Sequence, residues 1–254
     1  MKEQAVEAAQ EVFKTLGPGY LEKVYQGALA HELRLRDIPH QREYNTQLLY
    51  KRHELGIIRV DLVVGGDLIV ELKAVKKVTE SHKQQVRAYL VSTGFTNGIL
   101  VNFPPEGEEV EVFDETRDDS VLVEPICSFK GKAIEKIAKA AEEVANNLGA
   151  EFFYQPKQKP DYYLKALKTE FRLCDLPYEE RTFELLYKDF VVNENTVLIV
   201  DKRYLLGVIS KNEIDGETIA DYRRRWRPTG LKQGILINIC PDTAVMEVER
   251  IKIG

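Results

Sequence analysis

The stretch LIVELKAV, Leu68 to Val75, is an apolar strand with two charges set into it, Glu71 and Lys73. Successive side chains of a strand point to opposite faces, so residues two apart share a face. Glu71 and Lys73 are therefore expected on one side. Just upstream, IIRVDLVV (Ile57 to Val64) carries a third charge, Asp61, and ends at Gly65-Gly66, a pair suited to a hairpin turn. That turn would fold the two strands together and bring Asp61 to the other two. Neighbouring carboxylates repel unless a counter-ion joins them. A hard divalent cation, Mg²⁺ or Mn²⁺, meets that need. Lys73 would then hold or polarise an attacking water and stabilise charge developing on a phosphate. Taken alone, the same residues also fit an ordinary Glu71–Lys73 ion pair.

Outward from this core the periodicity is clear. Residues 2 to 15 predict a helix, broken at Gly17-Pro18-Gly19. A second helix is expected from Tyr20 to Arg36, with Leu21, Val24, Tyr25, Ala28, Leu29 and Leu33 spaced for one face. Glu22 lies in its first turns, as a site acid or simply as an acid favoured by the helix dipole. Tyr25 is three residues on and shares its face. Strands follow near 40–51 and 55–64, then LIVELKAV. A helix from Ser81 to Thr93 carries Gln85, which can hold a water or phosphate oxygen or merely lie at the surface, and Tyr89 one turn beyond. The strand GILVNF starts at Gly98, with a last strand near 109–113 or 121–124. Helices, antiparallel strands, helix and strand together predict an α/β sandwich with a mixed central sheet flanked by helices.

The text then repeats. YLKALKTEFRLCDLPYEERTFELLYK (Tyr163 to Lys188) parallels YQGALAHELRLRDIPHQREYNTQLLYK (Tyr25 to Lys51), and TGLKQGILINI (Thr229 to Ile239) parallels TGFTNGILVNF (Thr93 to Phe103). The order is the same in both halves, which predicts a tandem duplication of one module. The modules are expected at 1–127 and 128–254, the second opening on a helix from Phe129 to Asn147. Such a pair can mimic a homodimer within one chain, an intramolecular pseudo-dimer monomeric in solution. Matching LIVDKR to LIVELK puts Asp201 at the place of Glu71 and Arg203 at that of Lys73. Pro160 falls at Glu22, and the Asp61 position falls in the apolar run around Val191. Asp221 and Arg225 fall at Gln85 and Tyr89, with KNEIDGE as an extra stretch. The second copy is therefore expected to be degenerate.

Charge refines the picture. The chain of 254 residues has a net charge of -5 and 44% hydrophobic residues, which suits one large core or two small ones. Nine acids and one base lie between Glu106 and Glu124; without them the first half is mildly basic. Lys76, Lys77, Lys83 and Arg87 gather near the expected site, and this positive field suits a polyanion such as nucleic acid better than the net charge does. The run Arg223, Arg224, Arg225, Trp226, Arg227 could meet phosphates while the indole stacks on a base, or could pair with acids of the other half while Trp226 packs at the interface. No apolar run is long enough for a membrane span, and the opening helix does not read as a signal peptide. Cys127, Cys174 and Cys240 form no CxxC pair and are expected as buried free thiols in a reducing, cytoplasmic setting. There is no phosphate-binding glycine loop, no zinc spacing and no Ser/His/Asp arrangement; His82 is the histidine expected nearest the site.

GYLEKVY, Gly19 to Tyr25, matches the G-x-x-E-x-x-Y signature, followed by Asp61, VELKAV, HKQQVRAYL and GILVNF in order. Over residues 3 to 113 the chain thus resembles the GxxExxY proteins, placed in the PD-(D/E)XK nuclease superfamily with a restriction-endonuclease-like fold. The resemblance implies that Asp61 and Glu71 bind the metal, Lys73 is the catalytic lysine, and Glu22 completes or orients the metal site. Gln85 would be the polar residue on the helix after the core strand, and Tyr25 and Tyr89 would support the site. The expected activity is metal-dependent phosphodiester hydrolysis of DNA or RNA by the first half. A non-catalytic nucleic-acid-binding or assembly protein is the alternative.

Overall fold

The computed structural model describes residues 1–117, 132–149, 152, 162–240 and 246–253. The expectations placed on Cys127, Pro160, a strand at 121–124 and the boundary near 127 lie outside them. The chain divides into two compact units, Met1–Glu124 and Pro125–Gly254.

The N-terminal unit runs α1 (Lys2–Leu16), α2 (Glu22–Leu35), β1 (His40–Tyr50), β2 (His53–Val64), β3 (Leu68–Lys73), α3 (Glu80–Thr93), β4 (Asn97–Asn102) and β5 (Glu111–Thr116). The strands form one sheet in the order β1-β2-β3-β4-β5. Only β3 and β4 pair in parallel, because α3 carries the chain back between them; the other neighbours are antiparallel. Alternation along the strands decides which face each helix covers. Leu62, Val64, Leu68, Val70, Leu72, Ile99 and Val101 join Ala5, Ala8, Phe13, Leu29 and Leu33 of α1 and α2 in one buried cluster. The opposite face meets α3, where a Cβ on Gly98 would stand 2.8 Å from Val86. Only glycine allows the helix so close.

The C-terminal unit repeats this plan: α4 (Ala133–Leu148), α5 (Tyr162–Leu173), β6 (Tyr178–Tyr187), β7 (Phe190–Val200), β8 (Tyr204–Ile209), α6 (Gly216–Trp226), β9 (Gln233–Ile239) and β10 (Met246–Lys252). Its sheet has the same order, β6-β7-β8-β9-β10, again with one parallel pair, β8 with β9. Two side-chain devices recur. Tyr25 Oη donates to the Gly17 carbonyl at 2.7 Å, and Tyr163 Oη to the Gly149 carbonyl at 2.8 Å. Asn102 clamps Val75, accepting from its N–H and donating to its C=O, and Asn238 does the same to Lys211. The fold is an α/β module with a mixed central sheet, present twice.

Register overturns the expected alignment of the halves. Val70 pairs with Leu62 and Ile99; Leu206 pairs with Leu198 and Ile235. Gly207 and Ile209 thus stand where Glu71 and Lys73 do, and Val197 where Asp61 does, not a residue near Val191. Asp201 and Arg203 lie in the β7–β8 turn, at the places of Gly65 and Asp67, joined by a 3.7 Å ion pair. The similarity of LIVDKR to LIVELK misled because Leu198 to Val200 end β7 and do not begin the next strand. KNEIDGE is no insertion, since Thr79 and Asp215 cap α3 and α6 at the same distance past the asparagine-clamped residue. Cys174 is disulfide-bonded, not a free thiol as expected, while Cys240 is free.

Candidate active site

The strands β2 and β3 pair only from Leu62–Val64 to Leu68–Val70. Beyond that the ladder opens, and a side chain takes over: Asp61 Oδ2 accepts from Leu72 N–H at 2.9 Å. Its other oxygen accepts from Gln26 Nε2 at 2.9 Å. Gln26 lies one turn after Glu22 on α2, so this bond ties that helix to the open end of the sheet. The sequence reading missed Gln26; its signal was the four-residue spacing from Glu22, which puts both on one helix face.

Glu71 and Lys73 share a face as the alternation requires. Lys73 Nζ donates to Glu71 Oε1 at 2.7 Å, and both residues are buried, at 3% and 7% exposure. The other carboxylate oxygen, Glu71 Oε2, is buried with no hydrogen-bond partner. Burial raises the Glu71 pKa well above its ordinary value, and the negative charge of Asp61 raises it further against the pull of Lys73. Burial also raises Asp61, countered in part by the Leu72 N–H and by Lys73. For Lys73, burial alone would lower the pKa, but Glu71, Glu22 and Asp61 outweigh it and hold the ammonium protonated above the usual lysine range. A lysine so held is an electrostatic group and a donor, not a base.

The remaining expected residues fall into place unevenly. Glu22 is the first residue of α2, half-buried, and its charge reaches both Glu71 and Lys73. Among the described residues no group of three or more His, Cys, Asp or Glu is arranged to hold a metal ion. Asp61 and Glu71 are thus a carboxylate pair, with Glu22 acting at longer range. Tyr25 serves structure: it stacks on Phe103 at 4.3 Å and, besides bonding Gly17, accepts from Tyr20 N–H. It thereby fixes the loop that delivers Glu22. Gln85 donates to Tyr89 Oη at 2.7 Å, and not to the carboxylates, while Tyr89 donates to the Arg59 carbonyl. His82 is spent on capping α3, accepting from Thr79 N–H.

Lys76 and Lys77 are exposed in the bend just past β3. Lys83 lies over the Phe113 ring at 4.9 Å. Arg87 is held at 2.6 Å by both Glu115 and Glu80, so most of its charge is answered within the unit. In the C-terminal unit Trp226 is 2% exposed and belongs to the core, leaving no face for a base to stack on. Arg224 and Arg225 pair with Asp221, and Arg223 donates to the Lys252 carbonyl.

The donor set fits a hard divalent cation on chemical grounds. Two carboxylates meet at the open end of a sheet, one oxygen has no donor, and both acids are pushed toward protonation when alone. Comparison with known proteins agrees on the class. Residues 1–113 match the model of the PD-(D/E)XK nuclease superfamily. A solved structure described as the crystal structure of SSO0001 aligns at 18% identity with a TM-score of 0.30, over 39% of this chain and 52% of that one. This chain thus spans about half the length of that protein. No curated protein sequence matches.

Proposed function

We propose that the N-terminal unit, whose residues 1–113 match the model of the PD-(D/E)XK nuclease superfamily, is a metal-dependent nuclease that hydrolyses phosphodiester bonds in DNA or RNA. The observation that carries this is the buried Asp61–Glu71–Lys73 group with its partnerless Glu71 oxygen. Asp61 and Glu71 would hold Mg²⁺ or Mn²⁺, with Glu22 orienting the site. Bound there, the cation supplies a Lewis acid for the phosphoryl oxygen and lowers the pKa of water. Lys73 brings a fixed positive charge to the phosphate as negative charge develops. Gln26 and Leu72 N–H keep the Asp61 carboxylate aimed. Lys76 and Lys77 draw in the polyanion, with Lys83 adding to the same positive field. The motif Gly19 to Tyr25 further supports membership of the GxxExxY group within the superfamily.

In this reading the C-terminal unit is a degenerate copy, since Val197, Gly207 and Ile209 replace the three charges. It serves as scaffold, substrate-binding module or the other half of a pseudo-dimer. A second reading, a non-catalytic nucleic-acid-binding protein built from nuclease-like modules, draws on the same replacements.

The experiment is cleavage of labelled single-stranded, double-stranded, flap and structured DNA and RNA with Mg²⁺ or Mn²⁺, comparing wild type with Glu71→Ala/Lys73→Ala. Cleavage by wild type alone is the expected result. Tight binding without cleavage by either protein favours the second reading, and equal cleavage by both sinks the assignment of the site.

A further inference from the structure

We propose that the C-terminal unit grips a nucleic-acid strand at the end of its sheet remote from the counterpart of the Glu71–Lys73 site, through Arg223, Arg227, Lys232, Arg250 and Lys252. The proposal rests on the reading above for its ligand class, nucleic acid.

The strands β8 and β9 run in parallel, and Gly207 and Ile209 mark the C-terminal half of β8. The opposite end, at Tyr204, Gln233 and Gly234, opens into a cleft of about 470 Å³ completed by the last residues of β10. A second cleft, of about 610 Å³, lies at the end of α6 and shares Lys232 and Ile253 with the first. The two are therefore neighbours, separated by those two side chains. Among the described residues their combined lining holds six Lys or Arg side chains (the five above and Arg224) and no Asp or Glu. All six are exposed. The floor is apolar, from Ile251 and Ile253.

The topology produces this concentration. Helix α6 runs back from the C-terminal end of β8 and delivers its arginines to the start of β9, where Lys232 enters. Strand β10 is antiparallel and brings Arg250 and Lys252 to the same end, opposite Ile235 and Gln233. In the N-terminal unit the matching cleft, of about 490 Å³, is lined by Asp67, Leu68, Asn97 and Gly98 together with Asp114, Glu115 and Lys2. The same place in the same fold holds Asp67 and the paired acids Asp114, with Lys2, and Glu115, with Arg87, in one unit, and unbalanced bases among the described residues of the other. The fold does not require those bases, since the N-terminal unit forms without them.

Guanidinium forks and ammonium groups around two neighbouring clefts suit a chain of phosphates, each cation meeting a separate anion. A phospholipid surface would present the same charge, and the vesicle arm of the test tells the two apart. The unit whose catalytic charges have gone would thus bind with a surface that never belonged to its active site.

The test is fluorescence anisotropy of labelled DNA and RNA oligonucleotides on the full chain, titrated with salt. Arg227→Ala/Lys232→Ala/Arg250→Ala is compared with wild type and with a control of equal charge loss, Lys165→Ala/Arg181→Ala/Lys188→Ala. Melting temperatures check folding, and Arg227→Lys/Arg250→Lys is expected to retain binding. The triple variant is expected to weaken affinity at least tenfold and to lessen the salt slope by about 0.7–0.9 for each phosphate it no longer neutralises. The control is expected to keep the slope. Wild-type affinity and slope in the triple variant overturn the proposal, as does an equal loss in the control. So does binding to vesicles of anionic phospholipid without binding to oligonucleotides. Cleavage is scored separately. A wild type that never cleaves, yet binds through these residues, removes the nuclease reading and leaves this one standing.

Discussion

Strands β3 and β8 occupy the same place in two sheets, in the same register, each followed by an asparagine-clamped residue and a capped helix. One is floored by Glu71 and Lys73; the other has Gly207 and Ile209. The space beside Gly207 is filled: a Cβ there would overlap Tyr222 and stand 3.1 Å from the Trp226 indole, which also closes over Gly234. Burying charges costs several kcal/mol per ion before pairing repays it, and replacing such a group by well-packed apolar residues is often neutral or stabilising. The C-terminal unit has well-packed apolar residues at those positions. The fold therefore forms without the charges, and the proposed nuclease chemistry is what would account for them in the N-terminal unit.

This contrast can be broken at several points. The largest effect is expected for Glu71→Ala or Lys73→Ala, which should lower the metal-dependent cleavage rate by about 10²–10³-fold or more; retention of the rate would dissolve the distinction between the units. Next, Trp226→Ala should destabilise the chain by about 3–5 kcal/mol, read from urea unfolding, as expected for an aromatic lost from a core. A small change would mean that the indole does not replace the missing charges. Grafting the charges back with Gly207→Glu/Ile209→Lys should cost about 3 kcal/mol or more and confer no cleavage, because the site is already full and the pair would lack Asp61.

A pH effect should separate the units further. Asp61 and Glu71 have folded pKa values raised above 3.8 and 4.5. The folded state therefore holds their protons more tightly than the unfolded state. Their contribution is fully present below those ordinary values and is lost as pH rises through the raised ones. Thermal melts of the metal-free protein should show stability falling as pH climbs above about 4.5, and Mg²⁺ or Mn²⁺ should restore it at neutral pH. Glu71→Gln should flatten that fall; an unaltered pH profile in this variant would remove Glu71 as its source. The smallest effect is expected at the paired tyrosines. Tyr163→Phe loses its bond to the Gly149 carbonyl and should cost about 1 kcal/mol, while Tyr25→Phe loses its bonds to both the Gly17 carbonyl and the Tyr20 N–H and should cost somewhat more, read from urea unfolding. A larger loss at Tyr163 would show that the shared device does different work in the two units.

Much of this was written plainly in the sequence. The alternation of LIVELKAV, the Gly65-Gly66 turn and the helical spacing before Asp37 depend on local chemistry, and each produced the expected element. The adjacency of Asp61, Glu71 and Lys73 was legible because a short hairpin leaves little freedom of register. Gln26 was not, since its bond to Asp61 needs α2 packed across the sheet. Arg87 looked available as a cation, yet Glu115 lies 28 residues on and meets it only once β5 joins the sheet. Trp226 was ambiguous because a motif of arginines around an indole says nothing about which side faces the core. The second copy was misread for a physical reason as well: a turn and a strand start can share letters, while backbone conformation tells them apart. Asp201 and Lys202 take positive φ, as Gly65 and Gly66 do.

The asparagine clamps carry one more consequence, that of chemical ageing. A primary amide offers a donor and an acceptor side by side, and Asn102 and Asn238 use both on one backbone residue. Deamidation to aspartate would turn the donor into a second acceptor. At Asn102 the new carboxylate would face the Val75 carbonyl and the Glu111 side chain, which now accepts from the same amide nitrogen at 2.9 Å. The bend between β3 and α3 would then lose its clasp just beyond Lys73. Asn238, which holds the Lys211 backbone in the same way, is open to the same reaction in principle. Both amides are sealed from water, at 0% and 1% exposure, so the sheet itself preserves the groups that shape it.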